Sequence, residues 1–181
     1  MFTETPGGFA PRVLTDLLAT VDPLWSEPSR FADTGAHDGY QQVSLLVAGG
    51  RLAVPEFAEL LAHFTPVRAA WLSRLAPGGY IVEHCDAGPY FERWQVPFTT
   101  CGQLIEDGEP VAHRVGVPFR VHQWRWHSVR NDGPDHRVSL VIDRDIPVDV
   151  PSAGFTTRHM EPPCPSFEKP CITPVAPSWQ A

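Results

Sequence analysis

From Tyr80 to Asp143 the chain breaks into short runs rich in Val, Leu, Ile and aromatic residues, divided by Gly, Pro and Asp. Runs of this length suit the strands of a sheet or barrel and leave little room for long helices. The expected strands are Tyr80–His84, Phe91–Thr99, Pro110–Val115, Val117–Trp126 and Arg137–Asp143. In the last, Val138, Leu140 and Ile142 share one face, while Arg137, Ser139 and Val141 share the other.

Upstream of Tyr80 the spacing becomes helical. Val13, Leu14, Leu17, Leu18 and Val21 give one apolar stripe, ended before Pro23. Tyr40 to Ala48 suits a strand closed by Gly49-Gly50, and Pro55 opens a second helix that buries Phe57, Leu60, Leu61 and Phe64. Thr65-Pro66 predicts an N-cap and first helical position, starting a third helix through Ala70, Trp71 and Leu75 that Ala76-Pro77-Gly78-Gly79 stops. With 20 Pro and 14 Gly in 181 residues, the expectation is one mainly β domain with N-terminal helices. It occupies residues 1–146, with a helical part at about 10–76 and a β core at about 77–146. Residues 147–181, crowded with Pro, predict an extended or partly disordered arm.

A formal net charge of −7 with no Lys/Arg block disfavours nucleic acid as a partner and points to a small molecule or peptide. The first residues lack a basic stretch followed by an apolar one, and no apolar run is long enough to span a bilayer. A cytoplasmic protein is the expectation. Its four cysteines, Cys85, Cys101, Cys164 and Cys171, form no Cys-x-x-Cys pair and are expected as reduced thiols.

Chemistry concentrates in the β region. Residues i and i+2 of a strand project to one face, so His84 and Asp86 can approach one metal together while Cys85 points away. A third ligand must come from another strand. Two imidazoles and one carboxylate on one face of an octahedron leave the opposite positions open, the arrangement of non-haem Fe(II) sites. His127 is the expected third ligand, and His113, His122 and His136 are its rivals.

The stretch from Arg74 through Gly78-Gly79 to His84-Cys85-Asp86, then Arg93-Trp94-Gln95-Val96-Pro97, then Gly116, His127, Asn131 and Arg137, resembles the aspartyl/asparaginyl β-hydroxylase family. The resemblance runs from about Leu75 to Asp143 and extends to small proline hydroxylases. It implies a double-stranded β-helix, or cupin-like jelly roll, and a dioxygenase dependent on Fe(II), 2-oxoglutarate and O2. It further implies that His84, Asp86 and His127 hold the iron and that Arg137 holds the distal carboxylate of 2-oxoglutarate. An arginine suits that task because its planar fork binds a carboxylate through two donors. Arg93 matches the start of the family's Arg-x-His-x-Pro segment, whose Arg and His lie near a cosubstrate or substrate carboxylate. The His position is Gln95 here, which can donate a hydrogen bond but carries no charge. Asp86 also separates the chain from halogenating relatives of the same fold, which have a small residue there. The implied reaction hydroxylates an amino acid or a peptidyl residue, with Asp-, Asn- or Pro-like groups as leading substrates, and releases succinate and carbon dioxide.

Other readings compete. A cupin that binds a metal or ligand without oxygen chemistry uses the same barrel, and only the oxygenase requires Arg137. An interaction domain with a coincidental triad is the third reading. Trp94, Trp124 and Trp126 read first as packing aromatics, although Trp94 could face substrate. Arg125 fits either an acidic substrate or an exposed ion pair. Cys85 and Cys101 read as small buried hydrophobes, and His122 as a packing residue.

Overall fold

A computed structural model describes residues 8–25, 35–47, 50–86, 91–122 and 125–145. The Pro-rich arm, with Cys164 and Cys171, lies outside the described residues, as does Trp124. Helix α1 (Pro11–Val21) buries Leu14, Leu17 and Val21 as its spacing predicts, while Val13 at the edge of the stripe stays exposed. A 3₁₀ turn at Pro55–Phe57 leads into α2 (Ala58–Ala62), burying Phe57, Leu60, Leu61 and Phe64.

The strands are β1 (His37–Ser44), β2 (Leu46–Val47), β3 (Arg51–Leu52), β4 (Val67–His84), β5 (Phe91–Pro97), β6 (Gln103–Glu106), β7 (Glu109–Pro110), β8 (Phe119–Val121), β9 (His127–Arg130) and β10 (Arg137–Asp145). One sheet of eight strands runs β7-β6-β9-β4-β10-β5-β8, with β1 also paired to β4, and β2 and β3 form a separate hairpin. All of these pairs are antiparallel. The sheet curls until its two ends face each other, so Leu104 and Val129 pack with Leu75 and Val121 inside the roll.

The third helix expected from Pro66 through Leu75 is instead the first half of β4, and the sheet begins well before residue 77. Thr65 does not open a helix, because its hydroxyl donates back to the Ala62 carbonyl (3.1 Å) and closes α2. Ala70, Trp71 and Leu75 are spaced for a helix but sit in a strand flanked on both edges by β1 and β10. β10 pairs along Val67–Leu75 and β1 along Trp71–Leu75, and this strand pairing outweighs local preference.

Gly78-Gly79 does not end the element either. The register with β1 slips between Asp38↔Tyr80 and Tyr40↔Leu75, so β4 carries a bulge at Ala76–Gly79. A Cβ on Gly79 would stand 2.7 Å from the Asp38 carbonyl oxygen, a gap only glycine allows. Asn131 fastens the bulge: its amide donates to the Leu75 carbonyl (3.0 Å), its N–H to Gly79 (3.0 Å), and its carbonyl accepts from Gly78 (2.8 Å). Past that bend β4 leaves β10 and pairs with β9.

Directly opposed residues of antiparallel strands share a face. The register Tyr40↔Leu75↔Arg137 and Asp143↔Arg93 therefore assigns Tyr40, Ser73, Arg137, Ser139, Asp143, Arg93 and Gln95 to the inner face of the roll. Leu72, Leu140, Ile142 and Val96 take the outer face, covered by α1 and α2. The expected strand Pro110–Val115 shrinks to β7, Val117–Trp126 contains only β8 as strand among its described residues, and β6 appears where no strand is predicted. Cys85 and Cys101 are half-buried rather than buried.

Candidate metal and anion site

The bend in β4 aims its last residue, His84, at His127, the first residue of β9 and its direct partner in register. Their ring centroids are 4.3 Å apart. Asp86, two residues beyond His84, brings Oδ1 to 3.9 Å from His84 Nε2 and Oδ2 to 3.4 Å from His127 Nε2. One ligand atom from each of the three lies within 4.8 Å of the others, the one such His/Cys/Asp/Glu group among the described residues.

Each imidazole is oriented by backbone. His84 Nδ1 lies 2.8 Å from the Val82 carbonyl, and His127 Nδ1 lies 2.9 Å from the Arg125 carbonyl. A carbonyl can only accept, so each Nδ1 carries a proton, and each Nε2 faces Asp86: deprotonated it offers a lone pair to a cation, and protonated it donates to the carboxylate. Burial pushes the His84 pKa down, helped by the neighbouring His127, and this favours the neutral, ligating form. Burial alone would raise the Asp86 pKa, but the hydrogen bond with His127 and the charges of Arg93, His84 and His127 outweigh it and hold it at about 2. Two lone pairs and a carboxylate converging at these separations fit a borderline divalent cation such as Fe(II).

Arg137 lies on the inner face at 4% exposure. Its one hydrogen bond given by the structure is from Nη2 to Gln95 Oε1 (3.0 Å), and Nε is buried without a partner. No carboxylate within ion-pair distance accompanies it among the described residues, and burial pushes its pKa down to about 10, opposed by Tyr40. A buried cation without an anion is costly, so this guanidinium suits an incoming carboxylate. Ser139, two residues along the same face of β10, has a buried hydroxyl that is also unpartnered.

Arg93 is placed differently. Nε and Nη2 donate to both oxygens of Asp143 (2.8 and 3.0 Å), and Nη1 donates to Asp86 Oδ2. Gln95 accepts from Arg137 and so orients the guanidinium without neutralising it.

Trp94 is not brought to this site; it sits on the outer face of β5 against Phe64, with ring centroids 6.1 Å apart. Arg125 is half exposed and lies 3.7 Å from Asp107, while its carbonyl holds His127. Among the rival histidines, His113 stacks on Phe119, and His136 is exposed. His122 is not a packing residue, since its ring and its N–H both bond Glu106 (3.0 and 2.9 Å).

Sequence reasoning missed the half-buried Tyr40, whose hydroxyl accepts from Trp71 Nε1 (3.2 Å). Burial raises its pKa, opposed by Trp71 and by the charges of Arg93 and Arg137. It missed Ser73, Ser139 and Asp143 as well. Alternation within β10 did place Ser139 beside Arg137, but only the register of β10 against β4 and β5 assembles the group.

A curled antiparallel roll with a His/Asp/His cluster at one mouth defines a cupin-type β-barrel with a candidate metal centre. The aspartyl/asparaginyl β-hydroxylase family profile matches residues 29–147, and the chain belongs to that family. No curated relative matches it. Among solved structures, it resembles a 2OG-Fe(II) oxygenase family oxidoreductase from Burkholderia pseudomallei, with a TM-score of 0.52 and 21% identity over 70% of this chain and 77% of that one. A cupin-2 domain protein from Rhodospirillum rubrum superposes with a TM-score of 0.44 at 12% identity, over 61% of this chain and 62% of that one. The first of these likenesses describes the fold. Among the described residues no helix is long and apolar enough to cross a membrane.

Proposed function

We propose that the protein is an Fe(II)- and 2-oxoglutarate-dependent hydroxylase acting on an amino acid or a peptidyl residue, with Asp-, Asn- or Pro-like groups as the leading substrates. Family membership supports the reaction class. The observation that carries the reading is Arg137, a buried guanidinium with no carboxylate partner among the described residues, in the roll that carries the His84, Asp86 and His127 cluster. A cupin that only binds a metal has no need to leave a charge so exposed to desolvation cost.

In this reading His84 and His127 present Nε2, and Asp86 a carboxylate oxygen, to Fe(II). Arg137 binds the distal carboxylate of 2-oxoglutarate, oriented by Gln95 and flanked by Ser139. Bound Fe(II) with 2-oxoglutarate supplies the coupling of dioxygen reduction to cosubstrate decarboxylation: one oxygen atom goes into succinate, carbon dioxide leaves, and the other replaces a substrate C–H by C–OH. Apolar packing of Leu75, Leu104, Val121 and Val129 inside the roll limits water around these groups. A reducing cytoplasm suits such a site, and the net charge of −7 favours a small molecule or peptide over nucleic acid.

The test is anaerobic addition of Fe(II) and 2-oxoglutarate to the full chain, followed by the visible charge-transfer band of the chelate. Succinate release is then measured with candidate amino acids. The expected result is a band lost in His84→Ala, Asp86→Ala and Arg137→Ala. A band absent from the wild-type protein sinks the oxygenase reading and leaves the cupin that binds metal without oxygen chemistry.

A further inference from the structure

Arg93 and Asp143 face each other in register on β5 and β10, on the inner face of the roll. Both are largely buried, with side-chain exposures of 15% and 10%. The carboxylate of Asp143 takes the whole Nε/Nη2 edge of the guanidinium, with contacts of 2.8 and 3.0 Å, which is the strong two-point geometry of an arginine fork. Only Nη1 is left to reach Asp86, and it does so at Oδ2. Asp86 Oδ1 stays directed toward His84.

We infer that Asp143 is a positioning residue that acts through Arg93 on the ligand Asp86, an inference that rests on the metal-site reading above. A guanidinium beside a cation site is a competitor, because its positive charge can draw both carboxylate oxygens into a salt bridge and repel the metal. Asp143 prevents this in two ways. It supplies the compensating charge, and it fixes the fork edge-on so that a single N–H meets a single oxygen of Asp86. The other oxygen is kept for the cation. Family resemblance assigns Arg93 to a cosubstrate or substrate carboxylate; here its fork is committed to two carboxylates of the protein itself.

Co(II), added to the full chain under nitrogen, reports this arrangement through its affinity and its visible d–d spectrum. Asp143→Asn is expected to weaken Co(II) binding by about ten-fold, the scale of other outer-sphere substitutions, and to change the spectrum. Asp143→Glu, which keeps charge and a two-oxygen edge, recovers most of that loss. In an Arg93→Gln background the same Asp143→Asn change has an effect of less than about two-fold, because the link is already gone. Equal losses in both backgrounds overturn the inference, as does an Asp143→Asn protein with wild-type affinity and spectrum. If Asp143→Asn does not fold, Arg93→Lys carries the test. Lysine cannot hold one carboxylate along an edge and another from a third nitrogen, so a loss of about ten-fold is expected and wild-type affinity overturns the idea. A wild-type protein that takes up no Co(II) overturns the metal-site reading itself, a result distinct from an unaltered Asp143→Asn.

Discussion

At the scale of single residues, the site is a set of charges whose protonation can be followed. His84 has a depressed pKa, so its neutral form is favoured by folding. The contribution to stability is complete above the ordinary histidine value of about 6.5 and is lost as pH falls through the lower folded value. Asp86 is also depressed, to about 2, so its contribution is complete above about 4 and is lost between about 4 and 2. Both losses occur on acidification. Metal-free protein should therefore show two descending steps in a plot of unfolding free energy against pH. Asp86→Asn should remove the lower one, about 2 kcal/mol. Arg137 gives the opposite kind of prediction, because in the proposed function its buried charge serves a ligand rather than the fold. Arg137→Met should leave the melting temperature unchanged or raised, while 2-oxoglutarate affinity, read by calorimetry, falls by about a hundred-fold or more.

At the scale of elements, the decisive piece is the bend in β4. Asn131→Ala removes the side-chain bond to the Leu75 carbonyl and the one to Asp135 (2.8 Å), and should cost about 2–3 kcal/mol in denaturant titration. It should also weaken Co(II) binding, since the tail of β4 then loses its aim at His127. The bend also marks the limit of what sequence could reveal. Arg137 to Asp143 was readable because strict alternation has one interpretation, and His84 with Asp86 because i and i+2 share a face. The stretch from Pro66 to Leu75 was not, since Ala70, Trp71 and Leu75 satisfy a helical spacing and Pro77-Gly78-Gly79 looks like a terminus. Strand pairing on both edges decides it, and that is a non-local term. Tyr40, Ser73 and Asp143 escaped for the same reason: each lies on the inner face only by its register with a strand distant in sequence.

At the scale of the whole molecule, β4 and β10 separate two apolar interiors. Leu72 and Leu140 belong to the one under the helices, and Leu75 to the one inside the roll. A shared wall predicts one cooperative unfolding transition. Leu72→Ala and Leu75→Ala should each lower the same transition by about 2–5 kcal/mol, with tryptophan fluorescence and far-ultraviolet dichroism coincident in both. Separate transitions for the two probes would show that the helical layer and the roll melt independently.

The paired carbonyl contacts at Val82 and Arg125 carry one more implication. Both rings take their attitude from main chain, two residues upstream in each case, and every amino acid supplies the same oxygen there. Random drift at those two neighbours can alter side chains freely without releasing either imidazole. The geometry of the candidate metal site is thus inherited from the path of the polypeptide, and substitutions that tune it have to be sought around the carboxylate instead.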